Sequence, residues 1–146
     1  MWWGNLVSPS WWNALYLNEG FASYFEYKGQ NAIQNVVSKR WNVFDFFITS
    51  DVQGAMRADS LKSARPIDSP VLTPDQITSI FDTFSYGKAA SVLYVVENII
   101  GQEAFQRCSR NYLKSHSFGV VTTDDMINAY KDEIKKVRLL YGNSVF

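Results

Sequence analysis

The chain is poor in residues that could anchor chemistry by themselves. Across 146 residues there is one cysteine, Cys108, and one histidine, His116. A lone cysteine excludes an internal disulfide and leaves the redox compartment open. A lone histidine leaves no base for a nucleophilic triad beyond His116 itself, and with one cysteine it matches no familiar zinc spacing. Lysine plus arginine and aspartate plus glutamate each number 14, so the net charge is zero. That balance gives no electrostatic basis for binding nucleic acid or an anionic membrane. No run of ~18 apolar residues is present to cross a bilayer. No basic stretch leading into an apolar run opens the chain, so no signal peptide is expected. Gly87-Lys88 lacks the preceding glycine and the following Ser or Thr of a P-loop. Repeats, low-complexity tracts and interdomain linkers are missing as well.

Apolar and aromatic residues are plentiful, at 47% and 16%, ample for the core of one domain. Their spacing predicts a mainly α architecture, helical throughout. Leu17, Phe21, Tyr24 and Phe25 keep the i, i+4, i+7, i+8 pattern of an amphipathic helix over Leu17 to Lys28. A second helix is expected from about Ala32 to Met56, on Ile33, Val36, Val37, Trp41, Phe44, Phe47 and Ile48. Ser8-Pro9-Ser10 reads as a turn, and Pro66, Pro70 and Pro74 make 59–76 an irregular connection. Loops of that length are often functional. Ser85 is placed as the N-cap of a helix that buries Val92, Leu93, Val96, Ile99 and Ile100 and stops at Gly101. Gln102 to His116 should follow with Phe105, Cys108, Tyr112 and Leu113 inward. The last helix is capped by Thr122 or Thr123, with Asp124 and Asp125 in its first turn. Met126, Ile127, Tyr130, Ile134 and Val137 continue it, and Leu139 to Phe146 show no clear period. Cys108 reads as a small core residue rather than a thiolate. His116 reads as a residue of a helix C-terminal turn.

One carboxylate stands out by its surroundings. Glu19 sits in Leu17-Asn18-Glu19-Gly20-Phe21-Ala22-Ser23-Tyr24, shortly after Trp11-Trp12-Asn13. On a helical wheel it shares a face with Ala22, Ser23 and Glu26, and solvent is the default partner of such a face. From its own residues the chain does not assemble an active site.

These segments, with Gly4-Asn5-Leu6-Val7 before them and Phe81-Asp82-Thr83-Phe84-Ser85-Tyr86-Gly87-Lys88 after, resemble the zinc aminopeptidases of the membrane alanyl aminopeptidase family, which are gluzincin metallopeptidases. Ala58 to Pro66 is similar to the family's stretch leading into the substrate cleft. Gln102-Glu103-Ala104-Phe105 and Thr122-Thr123-Asp124-Asp125 are similar to the helical region beyond it. The likeness covers roughly residues 2–130, and 131–146 form a divergent tail. The resemblance implies a hydrolase that removes N-terminal residues from peptides. Its Zn2+ would be held by the two histidines of H-E-x-x-H and by a glutamate eighteen residues later. On that match Glu19 is the third zinc ligand, and the Tyr86 hydroxyl stabilises the oxyanion of the tetrahedral intermediate.

Residues 1–18 precede Glu19, so the second histidine would stand immediately before Met1. The chain, 1–146, is therefore expected to be a partial peptidase domain: the helical lobe of a thermolysin-like zinc peptidase, incomplete. Both histidines, the glutamate base and the Gly-x-Met-Glu-Asn segment that captures the substrate's amino terminus would lie upstream. Ala14 stands where the family usually has aspartate, and Ala89 where it usually has glycine. One carboxylate binds zinc too weakly to hold it, so this chain alone is expected to carry no stoichiometric zinc and to lack aminopeptidase activity. Its partners are expected to be peptides in the intact family, with association through an uncovered apolar face. Compartment is left open, since the family includes membrane-anchored and cytosolic enzymes. Two readings stand side by side: an incomplete part of an active enzyme, or a catalytically dead paralogue serving as a helical interaction module. The paired motifs disfavour a third, an unrelated helical protein.

Overall fold

A computed structural model of the chain describes residues 1–37 and 42–141, with side chains described for these except 35–37, 137, 138, 140 and 141. In chain order the described elements are strand β1 (Val7–Pro9), helices α1 (Tyr16–Val37), α2 (Val43–Phe47), α3 (Gln53–Asp59), α4 (Pro74–Ser79), α5 (Ala89–Ile100) and α6 (Gln102–Ser115), strand β2 (Gly119–Val121) and helix α7 (Thr123–Tyr141). The mainly α class follows from the sequence pattern, and α1 is its axis. Leu17, Phe21, Tyr24 and Tyr27, on one face of α1, are all buried. Tyr24 meets Phe105 edge-on at 5.7 Å and Phe47 at 5.9 Å, and Phe21 stacks on Tyr112 at 6.0 Å. Trp3 closes the far side, stacked on Phe21 at 5.1 Å and Phe25 at 4.4 Å. Burying each such side chain is worth ~1.5–3 kcal/mol, which is why this stripe orders the other helices around it.

The helix boundaries differ from expectation in instructive places. α1 runs on through Gly29-Gln30-Asn31 to Val37, so the residues assigned to the start of a second helix are its own last turns. Gly29 faces open space there; a lone exposed glycine costs a helix only ~1 kcal/mol, less than the burial around it supplies. Trp41 and residues 142–146 lie outside the described residues. Beyond them α2 runs into a π turn, Ile48–Val52, before α3 begins.

The chain is not helical throughout. β1 and β2 pair in parallel, Val7 with Gly119 and Pro9 with Val121. Ser8 and Pro9 are thus strand rather than turn; Pro9 is tolerated because each strand of a two-stranded ribbon is an edge. Three-residue strands are too short to show a period in sequence.

The connection expected over 59–76 is irregular only over 60–73, since Asp59 ends α3 and Pro74 opens α4, but it is fastened down. Trp11 Nε1 donates to the Val71 carbonyl at 2.9 Å and Asn13 Nδ2 to Asp68 Oδ1 at 2.8 Å. The Thr123 hydroxyl donates to Asp68 Oδ2 and accepts from the Tyr16 hydroxyl at 2.9 Å. Leu15, Val71 and Ile80 form a small second core beneath the loop.

α5 buries Ala89, Ala90, Leu93 and Glu97, while Val92, expected inside, is exposed. The alanine face lets α5 lie close against α1, and that rotation turns Val92 outward beside Ile127 of α7 and leaves Val95 exposed. Gly101 ends α5 at φ 87, where a side chain would be strained. Thr122 caps α7 through a capping box: its N–H and hydroxyl both donate to Asp125 Oδ2 at 2.8 Å, and the Asp125 N–H donates back to the Thr122 hydroxyl oxygen at 3.4 Å. Cys108 is buried in the core. Burial and the nearby Glu133 charge raise its thiol pKa, as an inert core cysteine requires. His116 sits at the C-cap of α6 against the Tyr112 ring.

Candidate active-site wall

Two residues singled out from widely separated motifs, Glu19 and Tyr86, come together. Glu19 lies in the first turn of α1, half-buried rather than on a solvated face. Tyr86 lies in a second π turn, Phe84–Lys88, which leads directly into α5. Its hydroxyl stands beside the Glu19 carboxylate. Burial first, then the Glu19 charge and its hydrogen-bonding pull, hold the Tyr86 hydroxyl above the ordinary tyrosine pKa. Tyr86 is therefore a protonated donor at neutral pH, which is the form an oxyanion would need.

The approach that brings them together is set by two small residues. A Cβ built on Gly20 would lie 2.4 Å from the Ala89 Cβ. The helices meet there with one methyl between them, and only glycine at 20 permits it. Ala89 thus occupies the close-approach position from the α5 side. On the other flank a Cβ on Gly87 would come within 3.3 Å of the Asp51 carbonyl, so the two π turns also touch. π turns are uncommon and recur at functional sites, because the extra residue re-aims a side chain.

The turn that carries Tyr86 has a different cap from the one expected. Ser85 is buried within it and does not cap it. Asp82 does: its Oδ1 accepts the N–H groups of Phe84 at 2.9 Å and Ser85 at 3.1 Å. Arg65, from the long connection, grips Asp82 through Nε and Nη2 at 3.0 and 2.7 Å. An aspartate two residues before Phe84, reaching the N–H groups two and three residues on, is an N-cap signal in its own right; the guanidinium that holds it has no local signature. A second polar group that sequence reasoning missed is Glu97, buried on α5. It accepts from the Tyr24 hydroxyl at 2.6 Å and from Lys28 Nζ at 2.5 Å.

Whether these residues fit a zinc ion can be decided from the donors themselves. Among the described residues no three of His, Cys, Asp and Glu cluster closely enough to hold a metal. Glu19 has Tyr86 beside it, a neutral donor and not a second ligand, and His116 belongs to the far end of α6. One carboxylate does not make a zinc site. The donor set of this chain alone does not fit the metal.

The comparisons with known proteins agree with the family resemblance. The model of the peptidase family M1 domain matches residues 1–141. The tricorn protease-interacting factor F2 of Thermoplasma volcanium is 44% identical over 135 residues, which are 92% of this chain and 17% of that protein. Glutamyl aminopeptidase of Bos taurus is 46% identical over 131 residues, 90% of this chain and 13% of its own length. Leucyl aminopeptidase of Saccharolobus solfataricus is 37% identical over 144 residues, 99% of this chain and 17% of its own. The chain therefore spans 13–17% of the length of these relatives. No described helix is long and apolar enough to cross a membrane. The chain belongs to peptidase family M1, whose intact members are zinc aminopeptidases.

Proposed function

We propose that this chain forms one wall of an aminopeptidase active site acting on the free amino termini of peptides. Glu19 serves there as the third zinc ligand, and the Tyr86 hydroxyl donates to the oxyanion that develops on the scissile carbonyl. The observation that carries this reading is the placement of Glu19 and Tyr86 side by side at the Gly20–Ala89 crossing. A donor held at the oxyanion accelerates acyl transfer because its hydrogen bond strengthens as charge develops; removing one costs ~10²–10³ in rate. The remaining ligands and the general base would come from residues beyond this chain, which by itself neither retains zinc nor hydrolyses peptides. The chain alone is also expected to self-associate through the valine face of α5.

The test is a chimera in which this chain replaces the matching stretch of the Thermoplasma volcanium relative. The chimera should bind one zinc and release aromatic amines from aminoacyl anilides. Tyr86→Phe should lower kcat ~10²–10³-fold with zinc retained, and Glu19→Ala should lose the zinc. Full activity in Tyr86→Phe, or undiminished zinc in Glu19→Ala, would overturn the assignment. A zinc-loaded but inactive chimera would favour the alternative, a catalytically silent interaction module. Metal analysis of the 146-residue chain itself should find no stoichiometric zinc.

A further inference from the structure

Arg65 makes six hydrogen bonds with one guanidinium. Nε and Nη2 take the two oxygens of Asp82 at 3.0 and 2.7 Å, a bidentate fork. Nη1 donates to the carbonyls of Pro66 at 3.0 Å and Ile67 at 3.3 Å. Nη2 also reaches the Ile80 carbonyl at 3.3 Å and the buried Ser85 hydroxyl at 3.0 Å. The guanidinium carbon lies 5.4 Å from the centroid of the Phe84 ring. One side chain thus joins its own loop, the end of α4 and the π turn that bears Tyr86.

Asp82 passes this grip to the backbone by accepting the Phe84 and Ser85 N–H groups. The next residue is Tyr86. A π turn is an irregular ladder whose neighbouring α-helical register differs by one residue, and that change would re-aim the tyrosine. A planar fork with five donors can fix such a register; a lysine ammonium presents a point charge and cannot span the same partners. Gly20 and Ala89 set how near α1 and α5 lie, whereas Arg65 is placed to set the rotation of the segment between them.

We propose that Arg65, acting through Asp82, is the positioning residue for Tyr86: it holds the Phe84–Lys88 turn in the register that sets the tyrosine hydroxyl beside Glu19. The consequence for catalysis rests on the function proposed above; the positioning itself does not.

The test uses the 146-residue chain with ring-13C-labelled tyrosine, the Tyr86 resonance being identified by its loss in Tyr86→Phe. In the parent, Glu19→Gln should displace the Tyr86 signal. In Arg65→Ala the signals of Tyr24 and Tyr130 should stay in place, while the displacement caused by Glu19→Gln falls to a small fraction of its parental size. Arg65→Lys should behave as Arg65→Ala does. Should Arg65→Ala fail to fold, Asp82→Asn keeps an acceptor for the Phe84 and Ser85 N–H groups and should show the same loss. A full-sized displacement in Arg65→Ala, or in Asp82→Asn where that variant is the one measured, overturns the proposal, even when the melting temperature has dropped. No displacement in the parent overturns it too, along with the Glu19–Tyr86 pairing. If the displacement behaves as described but Tyr86→Phe leaves the chimera fully active, the positioning stands and the catalytic reading falls.

Discussion

Gly20 of α1 and Ala89 of α5 share a space that holds one methyl group and no more. The residue on each side of that contact is a candidate for the site: Glu19 precedes Gly20, and Tyr86 lies one turn before Ala89. Gly20→Ala should therefore destabilise the chain by ~1–3 kcal/mol, the usual range for overpacking, although alanine is the better helix former. Ala89→Gly in the same chain should recover part of the loss by returning the volume. Thermal unfolding of the two single variants and the double variant measures both effects, and strict additivity would contradict the shared contact.

The Glu97 carboxylate is buried with two donors, Tyr24 and Lys28. Lys28→Met removes the cation and leaves a buried negative charge. With Lys28 itself partly exposed, the expected cost is ~1–3 kcal/mol. Glu97→Gln, which keeps an acceptor for Tyr24 and sheds the charge, should cost less than Lys28→Met. Urea unfolding midpoints at pH 7 give the order, and the reverse order would argue against a charge held by Lys28.

Burial raises the hydroxyl pKa of Tyr24, Tyr112 and Tyr130 above the ordinary value. The unfolded chain ionises these groups near pH 10 and the folded chain does so only above that. Their contribution is thus fully present below about pH 10 and lost as pH rises beyond it. The melting temperature should hold level to roughly pH 9 and then fall. Tyr112→Phe makes the sharpest check. Its hydroxyl is buried and has no hydrogen-bond partner among the described residues, so removing it should leave stability at neutral pH unchanged or raise it by up to ~1 kcal/mol. The alkaline fall should also become shallower. A loss above ~1 kcal/mol at pH 7 would mean that the hydroxyl is satisfied in solution.

Val92, Val95 and Ile127 are exposed along α5 and α7. Apolar patches of this kind promote association when nothing covers them. Sedimentation velocity of the isolated chain should show mass rising with concentration, and Val95→Lys together with Ile127→Lys should suppress the rise. A single monomeric boundary across the range would rule the association out.

Much of this fold can be read from residue spacing, because α1, α6 and α7 bury their faces at the ordinary helical period. The buried row of α5 is less legible: Glu97 looks solvent-facing until its partner Lys28, on another helix, is in view. Ser85 resembles a cap in sequence, yet Asp82 holds that role, and the reason is a guanidinium contributed by a distant loop. Glu19 and Tyr86 are legible through their motifs. Their meeting depends on Gly20, a residue whose importance lies in what it lacks, and periodicity does not report that. Strands three residues long, paired across roughly three quarters of the chain, leave no pattern to detect.

Those strands carry a kinetic consequence. Pairing Val7 with Gly119 closes a loop of roughly 110 residues, and loop-closure entropy makes so distant a contact late to form. The α1–α5–α6 core can assemble from nearer contacts, whereas the β1–β2 ribbon must wait for both ends. Amide protons of Ser8 and Val121 should accordingly exchange faster than those of Tyr24 or Phe105, through an opening that leaves the helical core closed. When that ribbon parts, Trp3 lifts from Phe21 and Phe25, and the aromatic core is exposed from that side first.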